Sequence, residues 1–144
     1  MSSRLTVVRT LAVTVRQSRA AVFNRLADVE ALPRWAPEYC ERIDLWPCGW
    51  RALTTDGEWF VEVESDERSG VVDLRFSDGC ECRRFLPLRV ATLPGGETLV
   101  SAVLVRWPGV DEGAFERECE LLGRAVRRLG EKEASGVSPQ ALAT

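Results

Sequence analysis

Hydrophobic and polar positions alternate with a period of two over residues 6–16, a pattern typical of a half-buried β-strand. Ser18 follows as a predicted helix N-cap, because its hydroxyl can accept a hydrogen bond from a backbone amide of the first turn. The next apolar residues recur at helical spacing and predict a stripe that faces the core: Val22, Phe23, Leu26 and Val29. Pro33 and Pro37 then limit the chain to a short second helix or a turn.

Between residues 40 and 107 the pattern is that of successive hairpins. Turn sequences separate alternating stretches at Asp56-Gly57, at Asp78-Gly79 and at residues 94–96. The one-sided alternation predicts an antiparallel sheet, whose covered face carries Trp59, Val61, Val63, Val72, Leu74, Phe76, Leu86, Leu88 and Val90. Residues 99–107 are apolar on both faces, so the orientation of this predicted strand stays open. Pro87 predicts an edge-like stretch or a bulge within its strand.

A long C-terminal helix is predicted to cover this sheet. Asp111 is its predicted N-cap. Five apolar residues then follow at spacings of four and three and form one seam: Phe115, Cys119, Leu122, Val126 and Leu129. Residues 134–144 are small and polar without periodicity, which predicts a flexible tail after a single domain of residues 1–133.

Composition and charge agree with one globular domain. The 144 residues can bury a sizeable core, and 45% hydrophobic with 28% charged residues is a typical balance. The net charge of -3 argues against a general nucleic-acid binder. No apolar run reaches the roughly 20 residues that span a bilayer, and the first residues do not resemble a signal peptide. We therefore expect a cytoplasmic protein with no nucleic-acid partner and no stable membrane insertion.

The five cysteines and the lack of histidine narrow the chemistry. An odd cysteine count without a secretion signal predicts reduced thiols rather than a disulfide framework. Cys80 and Cys82 would share one face of a strand, but no Cys-x-x-Cys pair accompanies them, so neither a metal nor a cofactor is predicted. Without histidine, catalysis would have to use carboxylates, Tyr39, arginine or cysteine.

The order of these elements resembles the START-like superfamily, also called SRPBCC, which includes the polyketide cyclases. The likeness is carried by residues 18–23, by Ala27-Asp28, by residues 35–37, and by the long helix that follows residues 107–109. It implies an α+β helix-grip fold, in which a strongly curved antiparallel sheet wraps around a long C-terminal helix and two short helices follow the first strand. It also implies a ligand cavity between sheet and helix. No catalytic motif is shared across that superfamily, so none is transferred.

The implied cavity and the alternating faces together predict the ligand-binding residues. Trp35 is expected near the entrance, and the full predicted lining is Trp35, Tyr39, Trp59, Val61, Val63, Leu74, Phe76, Arg84, Leu86, Val103, Val105, Phe115 and Leu122. The tryptophans among them are either core anchors or surfaces on which a flat ligand stacks.

Arg84 has two interpretations. A period of two places it on the same face as Leu86 and Leu88. There it would anchor a ligand carboxylate, phenolate or phosphate. The alternative places its guanidinium at the cavity mouth or the sheet end, in contact with water.

Three functions remain open. The preferred one is the binding of a small, largely apolar ligand (aromatic, polyketide or lipid-like) by a monomer or homodimer. The second is a polyketide cyclase/aromatase-type enzyme, with proton transfer by Tyr39 or an acidic residue near Arg84. The third is a protein-interaction or membrane-associated helper without a ligand. They differ in whether the cavity holds two or more convergent polar groups or is almost wholly apolar.

Overall fold

The computed structural model describes the backbone of residues 7–143 and the side chains of residues 7–129. In this part of the chain seven strands form one antiparallel sheet in the order β1-β7-β6-β5-β4-β3-β2. The strands are β1 (Val8–Val15), β2 (Cys40–Trp46), β3 (Gly49–Thr54), β4 (Gly57–Asp66), β5 (Val71–Ser77), β6 (Cys82–Thr92) and β7 (Thr98–Val105). The helices are α1 (Arg19–Ala27), the short α2 (Leu32–Trp35) behind a 3₁₀ turn (Val29–Ala31), and α3 (Glu112–Ala143).

This architecture confirms the predicted helix-grip fold. Two short helices follow the first strand, a meander of antiparallel strands comes next, and a long helix ends the chain. Ser18 caps α1 as expected, since its hydroxyl accepts a hydrogen bond of 3.1 Å from the amide of Ala21. The strand predicted at residues 99–107 lies at Thr98–Val105, two residues earlier at its end.

The seam of α3 is buried against the sheet. Its five members are 1% to 7% exposed: Phe115, Cys119, Leu122, Val126 and Leu129. They share one core with the covered face of the sheet, including Val72, Leu74, Leu88 and Val90. Asp111 caps the helix by accepting a hydrogen bond of 2.7 Å from the amide of Ala114. Side-chain burial of this kind is what fixes a long amphipathic helix in a curved sheet.

Strand β7 resolves the orientation that its two apolar faces left open. Thr98, Val100, Ala102 and Leu104 are buried, whereas the alternate residues between them are only partly buried. Val103 therefore lies on the outer face, contrary to its place in the predicted cavity lining. Both faces of β7 carry valine and leucine, so composition alone did not distinguish them.

Pro87 marks the place where β6 leaves β7. The pairing between these strands runs from Thr92↔Thr98 only as far as Leu88↔Ala102. Residues 82–87 of β6 pair with β5 alone, which is the edge-like stretch that the proline predicted. Because a proline has no N–H to donate, the ladder ends there and the two strands diverge. The divergence opens space on the inner face beside Arg84 and Leu86.

Some expectations fall at the ends of the described chain. The predicted start of the first strand at Thr6, and the side chains of the predicted tail at residues 134–144, lie outside the described residues. The domain boundary at residue 133 and the flexibility of the tail therefore stay predictions. No helix within the described residues is both long enough and apolar enough to cross a membrane.

Candidate ligand-binding site

Arg84 lies at the point where β6 and β7 diverge, and its side chain is only 17% exposed. Its Nη2 atom is 2.8 Å from Oδ2 of Asp56 in the β3–β4 turn, and its Nε atom is 3.4 Å from Oε2 of Glu118 on α3. Its Nη1 atom donates a hydrogen bond of 2.7 Å to the backbone carbonyl of Arg83. One guanidinium thus joins the sheet, a hairpin turn and the terminal helix.

The carboxylate of Asp56 is held from several sides. Its Oδ1 atom accepts a hydrogen bond of 3.0 Å from the indole Nε1 of Trp59 and lies 2.7 Å from the hydroxyl of Thr54. The guanidinium of Arg84 lies 5.7 Å from the centroid of the Trp59 ring, within the range of a cation–π contact. Because Trp59 contacts both the guanidinium of Arg84 and the carboxylate of Asp56, this part of the site is preorganised.

Burial shifts the acid–base behaviour of two groups in the site. The pKa of Glu118 is raised, chiefly by burial, with the carboxylate of Asp56 adding to the rise and the cation of Arg84 opposing it. The pKa of Tyr39 is raised well above its ordinary value, again chiefly by burial, with Asp56 and Glu118 contributing. The phenol of Tyr39 is therefore protonated at neutral pH.

Arg84 lines three neighbouring spaces. An inner cavity of about 20 Å³ has the volume of roughly one water molecule, and it is lined by Tyr39, Phe76, Arg84, Phe85, Leu86, Leu104, Val105, Trp107, Glu118 and Leu122. A cleft of about 220 Å³ opens between the β3–β4 turn and α3, lined by Thr55, Asp56, Arg84, Val110, Ala114, Arg117, Glu118 and Leu121. A third space of about 250 Å³ lies at Glu81, Cys82, Arg83, Arg84, Trp107 and Pro108.

The structure brings together about half of the predicted lining. Six of the predicted residues surround the inner cavity: Tyr39, Phe76, Arg84, Leu86, Val105 and Leu122. Trp59 contacts the site through Arg84 and Asp56. Val61, Leu74 and Phe115 are buried in the packed core, and Val63 packs against it.

Trp35 lies in the core rather than near an entrance. Its side chain belongs to α2 and is only 1% exposed. Pro33 lies within the first turn of this helix and Pro37 follows it, a pattern that is equally compatible with a surface turn. Its indole ring is instead one of the largest fully buried groups among the described residues.

Asp56 and Glu118 were missed at the sequence level. Asp56 stood in an Asp-Gly turn, where an aspartate has a sufficient local reason to occur. Glu118 stood among several acidic residues at the start of α3. A signal for Glu118 was present, because it is three residues after Phe115 and four before Leu122 and so shares their face of the helix.

The five cysteines differ in how far they are exposed to solvent. Cys40 and Cys119 are buried, Cys48 and Cys80 are exposed, and Cys82 is intermediate, with all five thiols free. Among the described residues, no three cysteine, aspartate or glutamate side chains are placed to hold a metal ion together. Cys82, but not Cys80, is among the residues that line the space of about 250 Å³.

Comparison with known proteins bears on the fold. No protein-family model and no curated protein matches this chain. Several solved structures are similar to it. The Zhui aromatase/cyclase from a Streptomyces species shares 18% identity and a TM-score of 0.64, over 90% of this chain and 96% of that one. A START superfamily protein from Mycobacterium smegmatis shares 16% identity and a TM-score of 0.57, over 87% and 97%. The fold is START-like.

A further similar structure sits within a longer protein. The di-domain ARO/CYC protein BexL shares 16% identity and a TM-score of 0.61, and the match covers 85% of this chain and 45% of that one. At identities this low, the likeness extends to the START-like fold and not to any ligand or reaction.

Proposed function

We propose that this protein binds a small, largely apolar ligand in the clefts that converge on Arg84. The observation that carries the proposal is that one side chain, Arg84, lines the inner cavity and both adjoining spaces. Ligand sites of this kind combine apolar walls with a few placed polar groups. Here the walls include Val110, Ala114 and Leu121, and the polar groups are Arg84 and its two carboxylates.

The volumes set the size and place of the guest. The inner cavity of about 20 Å³ cannot hold an aromatic molecule. The cleft against α3, at about 220 Å³, exceeds the roughly 150 Å³ that accommodates benzene in an engineered protein cavity. The proposed guest is therefore a compound of one or two fused rings, or a short acyl chain, seated outside the core with one end at Arg84.

Binding is tested with 2-acetylnaphthalene, an uncharged ketone, followed by tryptophan fluorescence and by backbone amide shifts. We expect saturable binding, with the largest shifts around Arg84 and Ala114. Replacing Ala114 by Trp should fill the cleft and weaken binding by more than about tenfold. Glu112→Trp, which adds the same side chain at an exposed position two residues earlier, is the matched control.

The opposite result is equally specific. Absence of saturable binding, or shifts confined to the exposed Leu45 and Trp46 at the end of β2, would reject the ligand site. The second pattern would favour the interaction-protein alternative, since exposed large apolar side chains mark contact surfaces.

A cyclase/aromatase-type activity is the second candidate, and a specific observation favours it. A carboxyl with a raised pKa (Glu118) and a guanidinium (Arg84) both line the cleft of about 220 Å³, and the protonated phenol of Tyr39 lies behind them in the lining of the inner cavity. An intramolecular aldol condensation needs a base to take a proton from the carbon between two carbonyls. It also needs an acid to protonate the carbonyl oxygen that is attacked, and loss of water then leaves the ring.

The enzyme candidate is tested with a model poly-β-ketone thioester, followed by absorbance and mass spectrometry. A cyclase should give one aromatic product faster than the spontaneous mixture forms. Glu118→Gln should abolish that rate while 2-acetylnaphthalene still binds. A product mixture identical to the spontaneous one rejects the activity and leaves the binding proposal standing.

A further inference from the structure

We propose that this site selects uncharged guests that carry a hydrogen-bond acceptor and discriminates against carboxylates of the same shape. The inference rests on the proposed ligand-binding function and narrows its ligand class. It is the opposite of one of the two interpretations that the sequence allowed, in which Arg84 would anchor an anion. The reason lies in the groups that already surround the guanidinium.

Each nitrogen of Arg84 already faces an oxygen of the protein. Nη2 is paired with Asp56 at 2.8 Å, Nε faces Glu118 at 3.4 Å, and Nη1 donates to the carbonyl of Arg83 at 2.7 Å. A carboxylate guest would need two parallel N–H donors of the guanidinium. The three contacts engage at most three of the five N–H groups, so a carboxylate guest on the remaining ones would lie beside the carboxylates of Asp56 and Glu118, which repel it.

The charge of the cluster also disfavours an anion. Two carboxylates, Asp56 and Glu118, stand against the single positive charge of Arg84. The side chains of Arg84 and Glu118 are 17% and 15% exposed, and that of Asp56 is 31% exposed. A third carboxylate would therefore enter a site that already has more acidic than basic groups.

The neighbouring arginines do not change this balance. Arg83 is paired with Asp78 at 2.8 Å and with Glu81 at 3.1 Å, outside the cluster. Arg117 lines the cleft but is exposed, so that water and salt screen its charge.

Donors remain in the cluster for an uncharged acceptor. A guanidinium carries five N–H groups, and the contacts with Asp56, Glu118 and the carbonyl of Arg83 engage at most three of them. A ketone or amide oxygen of a guest can accept from a remaining N–H group on Nη1 or Nη2 without adding a negative charge, which a carboxylate cannot do.

Protonation of Glu118 should relax the discrimination. The groups that face Glu118 are Arg84 from β6, Asp56 from the β3–β4 turn and Tyr39 before β2, with Cys119 beside it on α3. When Glu118 takes up a proton, the cluster loses one negative charge. Asp56 is then the one carboxylate of the cluster that competes with a guest for the guanidinium of Arg84. Carboxylate binding should therefore improve as the pH falls, while binding of a neutral guest changes little.

The test compares 2-naphthamide with 2-naphthoate, two guests of nearly equal shape that differ in charge. At pH 7.5 and about 0.15 M salt, we expect the wild-type protein to bind the amide at least about tenfold more tightly, because like charges held together are strongly unfavourable. Glu118→Gln should reduce or reverse that ratio by strengthening naphthoate. Glu116→Gln, which removes a carboxylate paired with Arg9 on the exposed part of the same helix, should leave the ratio unchanged.

The outcomes separate this inference from the function on which it rests. If neither compound binds, the ligand site itself is rejected. If both bind and naphthoate is equal or tighter, the site stands and the charge selection is wrong. If Glu118→Gln does not fold, the wild-type ratio measured as the pH is lowered from 7.5, as far as naphthoate stays ionised, takes its place. A ratio that does not narrow over that range overturns the inference.

Discussion

Glu118 shows how one position on a helix decides the chemistry of a carboxyl group. It follows Phe115 by one turn and so faces the sheet, where burial raises its pKa and the Arg84 guanidinium opposes that rise. An exposed glutamate two residues earlier, Glu116, instead pairs with Arg9 on the surface. Two glutamates of one helix thus have different environments: Glu118 is part of the candidate site, and Glu116 forms a surface ion pair.

The pKa of Glu118 predicts how stability depends on pH. Because the folded protein raises this pKa above its ordinary value of 4.5, ionisation costs the folded state more than the unfolded state. The stability that protonation provides is complete below 4.5 and is lost as the pH rises through the folded-state pKa. The Glu118→Gln variant cannot ionise at this position and does not lose that stability. We therefore expect the unfolding free energy of the variant, minus that of the wild type, to increase as the pH rises through the folded-state pKa and to stay constant above it.

Urea denaturation at a series of pH values measures that difference. Glu116→Gln is the control, since its side chain is exposed and not part of the buried cluster. A difference for Glu118→Gln that shrinks as the pH rises would show that the Arg84 pair outweighs burial.

Single residues also show what the sequence could not provide about the site. The inward direction of Arg84 follows from alternation, because the period of two extends from Leu86 and Leu88. Its partners do not follow, since Asp56 and Glu118 are 28 and 34 residues away in sequence and meet it only through the fold. A local pattern gives the face on which a side chain lies, and only tertiary structure gives what it meets there.

At the scale of elements, the divergence of β6 from β7 positions the site. The pairing of β6 with β7 stops next to Pro87, and Arg84 lies three residues before that proline, in the stretch that pairs with β5 alone. The proline signal was readable in the sequence, as were the hairpin turns and the α3 seam. The face of β7 was not, because Val100, Ala102, Val103 and Leu104 are all apolar and the alternation carried no contrast.

Gly70 lies so close to the backbone of β6 that a side chain at this position is expected to clash. Its φ is +72°, and a Cβ atom added there would lie 2.0 Å from the carbonyl oxygen of Val90, whose amide donates to the Gly70 carbonyl at 2.8 Å. We expect Gly70→Ala to destabilise the protein by at least about 1 kcal/mol more than Gly96→Ala. At Gly96 φ is +93° and the added Cβ would meet nothing within 4 Å, so that variant isolates the backbone strain. Equal unfolding free energies for the two variants would contradict the close approach.

The seam of α3 predicts a different kind of loss. Leu122 is 4% exposed and borders only the small inner cavity, so Leu122→Ala should lower the unfolding free energy by about 2–5 kcal/mol. Leu121 is partly exposed and lines the outer cleft, so Leu121→Ala should cost less than about 1.5 kcal/mol. Chemical denaturation distinguishes the two. Similar small losses would indicate that the core beside Leu122 is open rather than packed.

At the scale of the whole molecule, one core extends from α1 through the sheet to α3. A single core predicts that buried groups far apart in sequence become accessible in the same event. Cys40 at the start of β2 and Cys119 on α3 are both buried, whereas Cys48 and Cys80 are exposed. Reaction of the exposed thiols therefore measures access in the folded protein, and reaction of the buried thiols measures unfolding.

Thiol labelling should separate these cysteines into classes. Iodoacetamide should modify Cys48 and Cys80 quickly, and Cys40 and Cys119 more slowly by on the order of 10³-fold or more, because exposure of the latter two requires unfolding. Direct reaction of folded Cys40 is further suppressed because burial raises its pKa to about 11 and the thiolate is the nucleophile. Leu122→Ala tests the common cause. It should accelerate Cys40 and Cys119 by the same factor, set by its loss of stability, and leave Cys48 unchanged. Acceleration of Cys119 alone, measured by mass spectrometry of the labelled peptides, would show that α3 detaches from the sheet on its own and that the protein has no single core.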